Sequence, residues 1–237
     1  MRVLAALLAL PASITHACDA VDDARRVAAL YGERIAFDVL RNGRRVGEAI
    51  TEFRRDGALL AVHSRMALDI HVLFVPVYRF RYDSRARWCG DRLASLATRV
   101  DDDGTPFALD ARAVDDALLV ESSAGHLRAP PGLLPTDHWN ARVLEHEAVL
   151  NTLTGQVNAV TIGPCAEPSP LVTAAAPAAR CHAYRGDLEA EVYYDPDGRW
   201  VGLAFAGRDG SDIVYRCRDC RAPAARAAAL RASRDDG

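Results

Sequence analysis

Two short clusters in this sequence combine residue types that can do chemistry. The first, Cys217-Arg218-Asp219-Cys220, has the C-x-x-C spacing of a thiol-redox site or of half a zinc site. A redox pair sits at the start of a helix, however, whereas this pair follows a predicted strand near the end of the chain. A zinc site needs further ligands, and the sequence holds no second C-x-x-C pair. A structural disulfide between Cys217 and Cys220 is therefore the favoured interpretation.

The second cluster, Asp137-His138-Trp139, follows a proline-rich break in the chain. An aspartate beside a histidine can orient a general base, as a hydrolase would require. Neighbouring residues on a helical turn seldom face each other, so a local cap with a tryptophan anchor is favoured over a catalytic pair. The sequence contains no Gly-x-Ser-x-Gly, P-loop or Gly-x-Gly-x-x-Gly motif. We expect no cofactor, no metal and no catalytic residue.

Residues 77–83 alternate strictly between two side-chain classes, which predicts a β-strand. The aromatic face of this strand is either core or, if the sheet curls but stays open, the wall of an apolar pocket. The arginine face is either solvated or a clamp for an anionic headgroup or glycan. Together with the second cluster, these faces supply the candidate ligand-binding side chains Tyr78, Phe80, Tyr82, Trp88, Arg79, Arg81, His138 and Trp139.

Turn signals divide most of the chain into short strands. Asn42-Gly43 is a two-residue hairpin signal, because both turn positions require positive φ. About ten to twelve strands joined by such turns indicate a mainly β protein built as one antiparallel meander. A sheet of that length must curl into a half-barrel or a barrel-like form, or it leaves open edges. We place the hairpin at residues 73–98 in the middle of this sheet.

The predicted organisation is a single β domain over residues 34–220. A short helix lies in the lead-in before it, and a brief helical turn capped by Thr136 lies near residues 136–142. The remaining predicted segments are a signal peptide at 1–17, a lead-in at 18–33, a surface loop at 164–180 and a frayed or disordered tail at 221–237.

Composition narrows the class of protein further. The net charge of -3 argues against a nucleic-acid partner. All 29 basic residues are arginine, which excludes lysine-based catalysis. No segment after the signal is apolar enough for a transmembrane helix. The composition is that of an ordinary globular protein.

The beginning of the chain and its six cysteines predict export. Cleavage after Ala17 is favoured over lipid attachment at Cys18, because His16 fits a lipidation signal poorly. Cys165 and Cys181 flank a Pro/Ala-rich loop that a bridge between them would close, although six cysteines allow 15 connectivities. We expect a periplasmic or secreted protein.

Short motifs are spread over most of residues 34–217: Phe37-Asp38-Val39, Asn42-Gly43, Val46-Gly47, Pro76-Val77-Tyr78-Arg79-Phe80-Arg81, Trp88, Leu93, Leu96, Trp139, Leu150-Asn151-Thr152 and Thr154-Gly155. With these motifs the chain resembles a bacterial envelope family carried only as a domain of unknown function. This resemblance implies export and a mostly antiparallel sheet, and it supplies no active site. More loosely, the meander is similar to the half-barrels of periplasmic lipoprotein carriers, which is a likeness of fold alone.

These observations favour a non-enzymatic β-sheet module that binds an apolar or amphipathic, lipid-like molecule, or an envelope protein partner, in its concave face. One alternative is a hydrolase that uses Asp137 and His138, or a thiol-redox enzyme that uses Cys217 and Cys220. Another is a purely structural envelope protein.

Overall fold

The computed structural model of the protein describes Cys18 and residues 20–220. The predicted signal peptide and C-terminal tail lie outside these residues. The described chain is mainly β, which confirms the predicted fold class. Its helices are α1 (Ala20–Tyr31), a 3-10 helix (Ala141–Glu145) and α2 (Pro170–Thr173). Its strands are β1 (Arg34–Arg41), β2 (Arg44–Asp56), β3 (Leu59–Val72), β4 (Val75–Cys89), β5 (Arg92–Asp102), β6 (Thr105–Val114), β7 (Ala117–Ser122), β8 (Gly125–Ala129), β9 (Leu134–Pro135), β10 (Ala148–Leu150), β11 (Val157–Pro164), β12 (Arg180–Gly186), β13 (Ala190–Tyr194), β14 (Trp200–Ala206) and β15 (Asp212–Asp219).

The fifteen described strands form one sheet in the order β8-β7-β6-β5-β4-β3-β2-β1-β15-β14-β13-β12-β11-β10-β9. The sheet is therefore a first meander, β1 to β8, and a second meander, β9 to β15, joined where β1 pairs antiparallel with β15. Only the short β9 pairs parallel to its neighbour, β10, within this sheet. The sheet is not closed, since β8 and β9 remain its two edges. The predicted position of the β4–β5 hairpin in the middle of the sheet was wrong. The strand at the centre of the sheet is β1, because the first strand pairs with the last, and this pairing is non-local.

Two hairpins use the same turn with very different residues. The β1–β2 turn places Asn42 and Gly43 at φ 48° and 77°, as its sequence predicts. The β3–β4 turn places Leu73 and Phe74 at φ 48° and 73°. Residues with a Cβ lose roughly 1–2 kcal/mol each in this left-handed region. The second turn is therefore strained, and local sequence preference does not explain it.

A part of the chain that we call the inner segment, residues 133–155, contributes β9 and β10 at one edge of the sheet and packs the residues between them against the first meander. Its anchor is Trp139, whose ring lies 5.3 Å from that of Trp88 and 5.4 Å from that of Phe53. Tyr31, at the end of α1, donates a hydrogen bond of 2.9 Å to the Trp139 carbonyl oxygen. At the far end, Gly155 packs against β7. The inner segment thus contacts β2, β4 and β7 of the first meander.

Two local elements differ from their predictions. The helical turn is a 3-10 helix at Ala141–Glu145, capped by the side chain of Asn140 rather than by Thr136. The segment expected to be a surface loop carries α2, and Val172 within it is fully buried. A Cβ on Gly202 would lie 2.3 Å from a Val172 methyl group, so glycine in β14 is what allows this close contact.

Three disulfides are present among the described residues: Cys18–Cys89, Cys165–Cys181 and Cys217–Cys220. They indicate an oxidising, non-cytoplasmic location. In the described chain, no helix has the length and apolarity needed to cross a bilayer.

Candidate functional site

A row of four small hydroxyl side chains crosses the inner face of the first meander. Strand register places Thr51 opposite Ser64, Ser64 opposite Ser84, and Ser84 opposite Thr98. The Thr51 and Ser64 oxygens are 2.9 Å apart, and those of Ser84 and Thr98 are 3.1 Å apart. Each pair shares one hydrogen bond, which lowers the cost of placing hydroxyl groups in an otherwise apolar interior. The row forms a polar, uncharged strip on the inner face.

Tyr82 extends this polar strip to the inner segment. Its hydroxyl donates a hydrogen bond of 3.0 Å to Thr152 Oγ1, and Thr152 Oγ1 lies 3.3 Å from Thr136 Oγ1. Burial raises the pKa of Tyr82 well above its usual value. The phenol therefore stays neutral, and it is held as a donor toward Thr152.

A cavity of about 190 Å³ lies between the sheet and the inner segment. Its size is comparable to engineered cavities of about 150 Å³ that hold benzene. The polar groups Thr51, Ser64, Tyr82, Thr136, Asp137 and Thr152 line one part of it. Exposed Leu153 and Glu189 mark where it meets solvent. The remaining wall is largely apolar and includes Ala49, Met66, Trp139, Ala190, Trp200, Leu203, Phe205 and Tyr215.

Asp137 is a buried acid of this cavity whose pKa is strongly raised. Only 9% of the residue is exposed, and no described residue donates a hydrogen bond to its carboxyl group. Desolvation raises its pKa from 3.8 to about 7. The carboxyl group is therefore protonated for a large fraction of the time at neutral pH, and it can then donate a hydrogen bond into the cavity.

His138 is also buried and also held neutral. Desolvation lowers its pKa from 6.5 to about 4. Its ring lies edge-on to Tyr184, with centroids 5.7 Å apart, and Nδ1 has no hydrogen-bond partner among the described residues. Tyr194 donates a hydrogen bond of 2.8 Å to the His138 carbonyl oxygen. No hydrogen bond joins the Asp137 and His138 side chains in this part of the structure, so the pair does not form an oriented base.

The structure brings three of the eight candidate ligand-binding side chains to one place. Tyr82, His138 and Trp139 all line the cavity. Phe80 and Trp88 are buried in the core on the same inner face.

The other three candidates lie away from the cavity. The Tyr78 hydroxyl donates a hydrogen bond of 2.7 Å to Asp102. On the outer face, Arg79 pairs with Asp101 at 3.3 Å and Arg81 with Asp69 at 2.7 Å. These exposed ion pairs contribute little stability, but they neutralise the arginine face.

Burial of Cys220 argues against the thiol-redox alternative. Cys217 and Cys220 are joined in a disulfide at the end of β15, and Cys220 is only 2% exposed, with its sulfur 3.9 Å from the Ala36 carbonyl oxygen. Reactive cysteine pairs need an accessible sulfur. This disulfide therefore closes the end of β15 on itself and holds the Cys220 sulfur against the backbone of β1.

Sequence reasoning missed the hydroxyl row, although alternation could have assigned each of its members to an inner face. Their alignment depends on register between strands, which no local pattern reveals. It also missed the cavity wall supplied by the second meander, where Trp200 and Tyr215 lie.

The fold and the site place the protein among disulfide-bonded, antiparallel β proteins. A small cavity lies between its sheet and the inner segment. Residues 37–218 match the family described as domain of unknown function (DUF6134), and the chain belongs to that family. This result confirms the resemblance to an uncharacterised family.

A solved structure with a similar fold is the beta-barrel-like protein of domain of unknown function DUF1849 from Brucella abortus. The two chains share 14% sequence identity and a TM-score of 0.48, over 79% of this chain and 96% of the other. A comparison with curated proteins gave no match.

Proposed function

We propose that the protein is a non-enzymatic, exported binding module that holds a small, neutral, amphipathic molecule in its interior cavity. The observation that carries this proposal is the cavity's division into an apolar wall and a polar part that contains Asp137, Tyr82 and Thr152. Ligand sites are typically apolar concavities with a few convergent polar groups that fix orientation. A periplasmic or extracellular location fits the three disulfides.

The dimensions and charges of the cavity limit the ligand class. A volume of about 190 Å³ is below the roughly 300–1,000 Å³ of drug-sized sites, so a whole lipid does not fit. Arg65 also lines the cavity, but Glu52 holds its guanidinium at 3.0 Å. Asp137 repels anions when it is ionised. The ligand is therefore a ring-sized neutral molecule with one hydroxyl or carbonyl group.

Cys18 bears on how the protein is held in the envelope. Its sulfur is bonded to Cys89, which leaves no thiol for attachment of a lipid. This supports a protein released by signal cleavage rather than one anchored through Cys18.

Phenol, benzene and benzoate are suitable probes of the cavity. Phenol is expected to bind more tightly than benzene, because its hydroxyl can hydrogen-bond to Asp137 or Thr152. Benzoate is expected to bind at least tenfold more weakly than phenol at pH 8, where Asp137 is largely ionised. Isothermal titration calorimetry of the full mature chain measures all three affinities.

A cavity-filling variant tests whether the probe binds at this site. Ala49→Leu places a larger side chain in the cavity wall and should weaken phenol binding at least tenfold. The matched control is Ala113→Leu, at an exposed position of β6, which should bind phenol as the unmodified protein does. Equal phenol affinity in Ala49→Leu and Ala113→Leu would contradict the proposal.

A further inference from the structure

The tip of the β3–β4 hairpin exposes an apolar surface that we call the apolar tip, residues 73–77. The described chain has six strongly exposed large hydrophobic side chains, and four of them lie here. Phe74 is 97% exposed and Leu73 is 86% exposed, with Val75 and Val77 beside them. Isolated exposed apolar residues are ordinary, but a contiguous exposed cluster marks an interaction site.

The backbone of the apolar tip supplies a second, independent observation. Leu73 and Phe74 occupy the same left-handed conformations that Asn42 and Gly43 occupy in the β1–β2 turn. Asparagine and glycine adopt this turn readily, whereas leucine and phenylalanine do not. A strained turn that also exposes its two largest side chains gains nothing for folding. Such strain is typical of segments retained for function.

The surroundings of the apolar tip show what kind of surface it can meet. Strands β3 and β4, of 14 and 15 residues, are the longest in the described sheet, and their turn carries the tip at its end. The charged side chains behind the tip neutralise one another, as Arg79 does with Asp101 and Arg81 with Asp69. The apolar tip is thus bordered by a polar collar, which consists of these paired charged side chains and carries little net charge.

The area of the apolar tip favours a membrane over a protein. Its four side chains can bury on the order of 500 Å² in total, whereas a stable protein interface buries about 800 Å² on each partner. A bilayer needs no matching shape, and aromatic and aliphatic side chains partition into its interfacial region. We propose that the apolar tip inserts into the surface of a lipid bilayer without requiring anionic lipid. This inference does not rest on the proposed ligand cavity.

Sedimentation of the full mature chain with phosphatidylcholine vesicles tests the proposal. The unmodified protein should sediment with these neutral vesicles to the same extent at low and high salt, because the collar charges are already paired. The double variant Leu73→Asn/Phe74→Gly should lower the partition coefficient about a hundredfold, through loss of two apolar side chains. The same variant should melt at a higher temperature, because its turn is no longer strained. Loss of binding in this variant therefore cannot be attributed to unfolding.

A conservative reporter and a matched control complete the test. Phe74→Trp should bind as the unmodified protein does, and its emission should shift to shorter wavelength when vesicles are added. Val157→Ser removes another exposed apolar side chain, on β11, and should leave vesicle binding unchanged.

Three results would overturn the proposal. One is failure of the unmodified protein to sediment with phosphatidylcholine vesicles, including the case in which the tip instead captures a protein partner. A second is equal binding by the Leu73→Asn/Phe74→Gly variant. The third is binding that requires anionic vesicles and disappears at high salt, which would assign the interaction to arginines.

Discussion

Replacing Trp139 with alanine is expected to lower the free energy of unfolding by about 3–5 kcal/mol. Trp139 is buried between Trp88 and Phe53, and its carbonyl oxygen accepts the hydrogen bond from Tyr31. The indole therefore joins the inner segment to two strands of the first meander, while the backbone carbonyl of Trp139 links it to α1. Urea unfolding followed by far-UV circular dichroism measures the change, and phenol binding should be lost as the cavity wall is removed.

The conservative variant Trp139→Phe tests how much of this loss depends on the size of the aromatic ring. Among the described residues the indole nitrogen of Trp139 has no hydrogen-bond partner, so phenylalanine loses only volume. A smaller loss of about 1–2 kcal/mol is expected. If Trp139→Ala costs less than about 1 kcal/mol, then the inner segment is not held by this side chain and the account of the concave face is wrong.

Replacing Asp137 with asparagine is expected to stabilise the protein at pH 8 and to leave its stability nearly unchanged at pH 4. The pKa of Asp137 is 3.8 in the unfolded chain and about 7 in the folded one. Because the folded state binds the proton more tightly, the stabilising effect of the protonated form is complete below 3.8 and is lost as pH rises through 7. At about 1.4 kcal/mol per pH unit, the loss reaches at most about 4 kcal/mol. Asparagine does not titrate and avoids this loss.

His138 produces the opposite dependence on pH. Its pKa is 6.5 when unfolded and about 4 when folded, so its stabilising effect is present above 6.5 and is lost as pH falls through 4. Between pH 4 and 6.5 the contributions of Asp137 and His138 oppose each other and nearly cancel. The Asp137→Asn variant removes one of them, so its stability should rise with pH across that interval.

Urea unfolding at a series of pH values checks both predictions, with His138→Gln as the matched variant. Its stability relative to the unmodified protein should be greatest near pH 4 and should decline toward pH 6.5. The quantity to compare is the difference in free energy of unfolding between each variant and the unmodified protein. Contributions from the other titrating groups cancel in that difference. Parallel pH profiles for the unmodified protein and both variants would show that neither side chain is buried as described.

Local chemistry made part of the fold predictable. Asn42-Gly43 specifies its own turn, and alternation at residues 77–83 is a property of a strand with one buried face. The mainly β, curled antiparallel architecture follows from such units and was confirmed. The central pairing of β1 with β15 was not predictable, because it joins the two ends of the chain and leaves no local pattern.

The candidate site was predictable only in its residue types. In the sequence, Asp137 and His138 are a polar pair after a proline-rich break, for which a local cap is the favoured interpretation. Their burial arises because the inner segment folds back into the concave face, where β13 and β14 also contact it. Desolvation, rather than a neighbouring charge, then sets both pKa values. That environment is a property of tertiary structure, and residue spacing does not encode it.

Native mass spectrometry of the protein purified from its own cells tests the central claim, that the interior cavity holds a small neutral ligand. The expected mass is that of the mature chain plus one additional small molecule, which is released on denaturation and is absent from the Ala49→Leu variant purified in the same way. A bare mass for the unmodified protein, or an adduct that Ala49→Leu retains, would contradict it.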